Sequence, residues 1–211
     1  ILFVTCFIFT SAVAASDELP LEIHQTLVTN DAQEKIAALT LDACGGEYDA
    51  RMMAFLIEQK IPATLFVTKR WLDKNPAAFA EIKSHPELFE IETHGARHIP
   101  AVVGKDRYVF GIAGSPDLEH LKQEVDGGAQ AVEKLGVTKP TWYRGATAMY
   151  DSQAIAAIKN MGYKIAGFSV NADNGATLSK RGIIARLKAD KSGDIIIAHM
   201  NKPRSHSADG M

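Results

Sequence analysis

The sequence predicts an α/β fold in which a parallel sheet is covered by helical crossovers, and three observations carry that expectation. Short β-branched apolar runs alternate along the chain with amphipathic stretches of helical period. No internal repeat or low-complexity linker interrupts the alternation. A chain of 211 residues that is 46% hydrophobic and 23% charged has the size and composition of one globular domain rather than a disordered or fibrous protein. Strict alternation of strand and helix leaves two architectures, a doubly wound sheet or a barrel.

The chain opens on an uncharged apolar run, Ile1 to Thr10, followed by Ser11-Ala12-Val13-Ala14-Ala15-Ser16, in which Ala12 and Ala14 have the small-x-small spacing of a signal-peptidase site. The run is shorter than the ~20 residues that cross a bilayer. Residues 1–15 are therefore expected to be an export signal, begun partway because neither an initiator Met nor a basic segment precedes the run. A secreted or periplasmic protein follows, without a membrane partner once the signal is cleaved. Cys6 falls in the segment expected to be removed, which leaves Cys44 without an intrachain partner.

Residues 16–34 are expected to form a polar extension and residues 35–211 one catalytic domain. Ile36 to Asp42 reads as the first strand, and Tyr48 to Lys60 as a helix with Met52, Met53, Phe55, Leu56 and Ile57 on its apolar side. Pro62 to Val67 is the next strand, Trp71 to Ser84 a helical stretch broken at Pro76, and Leu88 to Thr93 a strand again. Ile99 to Gly114 fits neither period and is expected as a long loop. Ser115-Pro116-Asp117 has the form of a helix start with Ser115 as N-cap, leading to a helix that ends near Gly136. Trp142 to Arg144, Lys164 to Val170 and Asp194 to Ala198 are further expected strands, separated by helices from Ser152 to Met161 and from Leu178 to Lys191. Polar Asn201 to Met211 offers no helix to cover the last strand, so the domain is expected to be truncated at this end.

A formal net charge of -2, with Lys and Arg scattered, offers no basic face and argues against a nucleic-acid partner. Parallel α/β sheets gather reacting groups at the C-terminal ends of their strands. The polar residues expected there are Asp42, His94, Arg144, Asp173 and His199. His94 and His98, at i and i+4, bring two imidazoles together if the segment turns helically, and neutral imidazole suits zinc, iron, cobalt or nickel. Asp42 could take a proton from a water made acidic by such a metal, and His199 could give one to a departing amine. Arg144 and Asp173 are expected as a charge-assisted pair. Trp142, Tyr143 and Tyr150 could stack on sugar rings.

These residues resemble the polysaccharide deacetylase (NodB-homology) family, carbohydrate esterase family 4, from Ile36 to His199. Thr40-Leu41-Asp42 is similar to its T-F-D-D-G motif, His94 to His98 to H-[ST]-x-x-H, Tyr143-Arg144-Gly145-Ala146 to the arginine motif without its proline, Asn171-Ala172-Asp173 to the aspartate motif and Ile197-Ala198-His199 to L-x-H. The resemblance implies a distorted, incomplete (β/α) barrel and a divalent metal, zinc by expectation, on His94 and His98. It further implies Asp42 as base, His199 as acid, an arginine oriented by Asp173, and an N-acetylated amino-sugar polysaccharide as substrate: peptidoglycan, a chitin-like polymer or an exopolysaccharide. The departure is Asp42-Ala43-Cys44 where the family has paired aspartates. With Ala43 in the third ligand's place, water, Asp42 or Cys44 completes the metal's shell, or metal binding is weak. Two rival expectations follow, a hydrolase in which Cys44 attacks with His94 or His199 as base, and a glycan-binding pseudo-deacetylase without turnover.

Overall fold

The structure, a computed structural model, describes residues 19–28 and 35–211; the expected export signal and Cys6 lie outside them. In chain order the elements are β1 (Leu21–Glu22), β2 (Ala38–Ala43), α1 (Ala50–Glu58), β3 (Ala63–Val67), α2 (Lys69–Lys74), α3 (Pro76–Lys83), β4 (Phe89–Thr93), β5 (Pro100–Ala101), β6 (Tyr108–Val109) and β7 (Ile112–Ala113). They continue with α4 (Leu118–Lys134), β8 (Trp142–Tyr143), β9 (Ala146–Tyr150), α5 (Ser152–Asn160), β10 (Lys164–Ile165), β11 (Val170–Asn171), α6 (Lys180–Lys188), β12 (Ile195–His199) and α7 (Ser207–Gly210). Seven strands in the order β10-β8-β4-β3-β2-β12-β11 form one all-parallel sheet, curled into a half-barrel. The incomplete barrel expected of the sequence is the fold observed. Among the described residues no helix is long and apolar enough to cross a membrane.

The two-residue period of a strand sorts the central side chains. On β2, Leu41 and Ala43 enter the main apolar core, where Leu65 and Val67 of β3 meet Met52, Met53 and Leu56 of α1 and Trp71 of α2. Thr40 and Asp42 point to the other face, into the curl of the sheet, where both meet the Arg144 guanidinium. Asp49 caps α1 by accepting from the Met52 N–H, and Asn75-Pro76 ends α2 and starts α3 with proline in its first turn.

Four expectations change. Lys164 to Val170 is not one strand: β10 lies at one edge of the sheet and β11 at the other, with Gly167 turning between them. A Cβ at Gly167 would stand 2.3 Å from the Ile23 carbonyl oxygen, so the crossing closes only around a glycine. The segment it touches packs onto the domain: β1 pairs with β9, His24 bridges Phe168 and Thr26 bridges Asp194. Ile99 to Gly114 is partly ordered, since β5 pairs with β9 and β6 with β7 forms a hairpin. Asp117, not Ser115, caps α4; Ser115 is buried and bridges Val103. The residues after β12 do form a short cover, α7, whose Gly210 packs against Ile183 of α6.

Candidate active site

Parallel pairing aligns the strand tips. His199 of β12 is in register with Asp42 of β2, Asp42 with Phe66 of β3, and Thr93, the residue before His94, with Tyr143, the residue before Arg144. One register therefore delivers Asp42, His94, Arg144 and His199 to one end of the sheet. Asp42, Cys44, His94, His98 and His199 all line a single cleft of about 740 Å³.

Arg144 is fully buried and bonds in several directions. Its Nη1 donates to Asp42 Oδ1 and to Thr40 Oγ1, each at 2.9 Å, its Nη2 donates to the Gly167 carbonyl at 3.2 Å, and its Cζ lies 4.2 Å from the centre of the Phe66 ring. Burial pushes the Asp42 carboxyl up, but the Arg144 guanidinium, aided by His94 and His199, outweighs it and holds Asp42 below the usual carboxylate range. Asp42 is thus held ionised.

Asp173 is not the partner of Arg144, which corrects the expected pair. Its Oδ1 lies 2.8 Å from His199 Nδ1, its Oδ2 accepts from the His199 backbone N–H at 2.8 Å, and the Ser207 hydroxyl donates to Oδ2 at 2.7 Å. Burial alone would lower the His199 imidazole, but the bonds to Asp173 and Cys44 raise it well above the ordinary histidine range. The two acids have divided labour: Asp42 takes the guanidinium and Asp173 takes the imidazole.

His94 and His98 meet without a helix. Gly95 has φ 86° and His98 φ 66°, so the segment folds back as a tight loop, and the rings lie edge to face with centroids 4.9 Å apart. Glu124, fully buried on α4, accepts the Arg97 and Ile99 N–H groups, while the N–H groups of Lys69 and Arg70 donate to the carbonyls of Gly95 and Ala96. A Cβ at Gly95 would lie 2.5 Å from Glu124 Oε1, which explains glycine at that position. His94 Nδ1 lies 2.5 Å from the Arg144 carbonyl oxygen. A carbonyl only accepts, so Nδ1 carries a proton and Nε2 is turned toward the cleft.

Cys44 stands opposite that nitrogen, with Sγ 3.5 Å from His94 Nε2. Two residues beyond Asp42, it projects into the cleft, while Ala43 between them is fully buried in the core. Burial pushes the Cys44 thiol up, yet His94, with His199 and His98, draws it well below the ordinary thiol range. The ligand atoms of Cys44, His94 and His98 lie within 4.8 Å of one another. Tetrahedral zinc with Zn–S near 2.3 Å and Zn–N near 2.1 Å sets sulfur and nitrogen about 3.6 Å apart; the 3.5 Å spacing of Cys44 and His94 matches that, and His98 stands close enough to join them as a ligand.

The expected sugar-stacking aromatics lie elsewhere. Tyr143 and Tyr150 are fully buried, and the Tyr150 hydroxyl accepts the Gly145 N–H at 2.8 Å. Trp142 is half-buried beneath Lys164 Nζ, 5.1 Å from its ring. None of the three lines the cleft; Tyr143 and Tyr150, on either side of Arg144, serve here as core. Sequence reasoning passed over Thr40 and Glu124. Glu124 had a readable signal, a carboxylate in the apolar stripe Leu121, Val125, Gly128 and Val132 of α4.

Comparison with known proteins agrees with this fold. Residues 29–166 match the polysaccharide deacetylase family. A family 4 carbohydrate esterase pseudoenzyme from Bacillus anthracis superposes with a TM-score of 0.69 at 16% identity, over 92% of this chain and 62% of that one. The chain thus spans about 62% of the length of that relative. A peptidoglycan N-acetylglucosamine deacetylase superposes with a TM-score of 0.69 at 16% identity, over 89% and 81% of the two chains. The peptidoglycan deacetylase PdaC from Bacillus subtilis gives 0.65 at 22% identity, over 85% and 81%. No curated protein matches the chain by sequence.

Proposed function

The chain belongs to the polysaccharide deacetylase family, and from that premise we propose that it is an exported, metal-dependent hydrolase that removes N-acetyl groups from an amino-sugar polysaccharide. The observation that carries this reading is the convergence of Asp42, His94, His98 and His199 on one cleft. The polymer classes that fit are peptidoglycan, chitin-like chains and N-acetylated exopolysaccharides, which share the same acetamide.

In this reading Cys44, His94 and His98 hold the metal, and Asp42-Ala43-Cys44 replaces the family's paired aspartates by moving the third ligand one residue along the strand. A thiolate with two imidazoles suits zinc. Such an ion, when bound, polarises the acetamide carbonyl and makes water acidic near neutrality. The residues around it supply the proton traffic. Asp42, kept ionised by Arg144, accepts the proton of the attacking water. His199, kept protonated by Asp173, gives a proton to the amine nitrogen as the C–N bond breaks. Acetate and a free amino sugar result.

Elemental analysis of the purified protein, together with acetate release from peptidoglycan, chitin oligomers and exopolysaccharide, tests the reading. One bound divalent ion and acetate from at least one polymer are expected. Glycan retention without acetate would instead identify a binding protein. The 3.5 Å approach of Cys44 Sγ to His94 Nε2 also supports a cysteine hydrolase. A chelator separates the two, because it abolishes the metal-dependent reaction and spares a cysteine nucleophile.

A further inference from the structure

The exposed tip of the β6–β7 hairpin faces the same cleft, and nothing in the fold accounts for its residues. Phe110 and Gly111 join Val109 to Ile112, both with positive φ, 50° and 78°. A two-residue hairpin turn of that kind favours Asn-Gly or Asp-Gly, and a bulky side chain at the first position is strained. Packing does not offset the strain, because Phe110 is 82% exposed, the most exposed aromatic among the described residues. Yet Phe110 and Ile112 line the cleft that holds Asp42, His94 and His199.

Strain is concentrated around this cleft. Of the eight non-glycine residues with positive φ among those described, His98, Phe110, Thr147, Ala148 and Asn174 line it. Two further features point to a polar ligand: the buried Thr147 Oγ1 and Asn201 Oδ1 have no hydrogen-bond partner in the protein, and both residues line the cleft. An aromatic face at the rim with unpartnered oxygens within is the complement of a pyranose, which carries hydroxyls at its edge and an apolar C–H face.

Resting on the deacetylase reading, we propose that Phe110 is a stacking platform for a sugar ring adjacent to the one that is deacetylated, so that the site takes a polymer segment rather than a single sugar. The cleft, about 740 Å³, lies toward the upper end of small-ligand sites and leaves room for that ring. Ile112 extends the platform along the hairpin.

The test compares binding of N-acetylglucosamine and its tetramer, by calorimetry, and acetate release from each, in the unaltered protein and in Phe110→Ala, Phe110→Asn and Phe110→Trp. Losing the aromatic face is expected to weaken tetramer binding about tenfold, raising KM with kcat unchanged, and to leave the monomer unaffected. Phe110→Trp is expected to retain tetramer binding. Phe110→Asn is expected to raise the thermal midpoint while weakening the tetramer, because Asn suits the turn. Unaltered tetramer affinity in Phe110→Ala and Phe110→Asn, with acetate still released by the parent protein, would overturn the platform alone. A parent protein that neither binds the tetramer nor releases acetate from any N-acetylated polymer would overturn the deacetylase reading and the platform with it.

Discussion

Arg144 Nη1 and Asp42 Oδ1 form a 2.9 Å ion pair with neither side chain open to solvent. Removing one member leaves the other as an uncompensated buried charge, which costs about 3–5 kcal/mol. Arg144→Met should therefore lower stability by about that amount in urea titrations, and Asp42→Asn in the same chain should recover most of it. A double-mutant cycle with no coupling would show that the pair does not hold the site together. Asp42→Asn alone should abolish nearly all turnover with metal content unchanged, as read by acetate release and elemental analysis.

Asp173 fixes His199 through two contacts, the ring nitrogen and the backbone N–H, both at 2.8 Å. Asp173→Asn retains an acceptor oxygen but no longer holds the imidazole charged. Turnover should fall on the order of 10²–10⁴-fold, while metal content and thermal midpoint change little. Steady-state kinetics beside elemental analysis would check this. An unchanged kcat would remove His199 from the proton-donating role.

Cys44 as a metal ligand predicts a spectroscopic signature. Cobalt-substituted protein should show sulfur-to-cobalt charge-transfer absorption in the near ultraviolet, and Cys44→Ser should lose that band. Metal affinity should fall by more than the about 10–100-fold typical of changes outside the ligand shell, and Cys44→Asp should recover part of it. A cobalt spectrum free of thiolate character would leave the two histidines without Cys44.

Glu92 gives a pH dependence away from the cleft. Burial pushes its carboxyl up to about 7 from an ordinary 4.5, against the Thr141 and Trp142 N–H groups that it accepts. Its folded pKa is raised, so the folded chain favours the protonated form. The associated stability is present below pH 4.5 and is lost as pH rises through 7. Glu92→Gln keeps an acceptor and carries no charge. It should gain roughly 1–3 kcal/mol at pH 8 and almost nothing at pH 4, read from urea midpoints at the two values.

The periodic parts of the fold were legible: β2, β3, β4 and β12, and helices α1, α4 and α5, all lie within a few residues of their expected spans. The grouping of Asp42, His94 and His199 at one cleft was legible because each follows an apolar run, and a parallel sheet places such tips at one end. Pairings were harder to read. The Arg144–Asp173 pair was expected on charge and on the family resemblance, whereas the sheet register sets His199 beside Asp42, and the loop after Asn171 brings Asp173 to His199. The aromatics beside Arg144 were misread because sequence does not tell a core ring from an exposed one, and the exposed ring, Phe110, sits in a stretch too short for either period.

From sequence alone came the alternation of strand and helix and the order of the chemical groups, since periodicity and residue identity are properties of neighbours along the chain. Tertiary structure decided which groups bond: that Arg144 serves Asp42, that Asp173 serves His199, and that Cys44 faces His94 while Ala43 packs in the core. Hydrogen bonds and ion pairs act over a few ångströms, and between residues as far apart in the chain as Asp42 and Arg144 only the curl and register of the sheet set those distances.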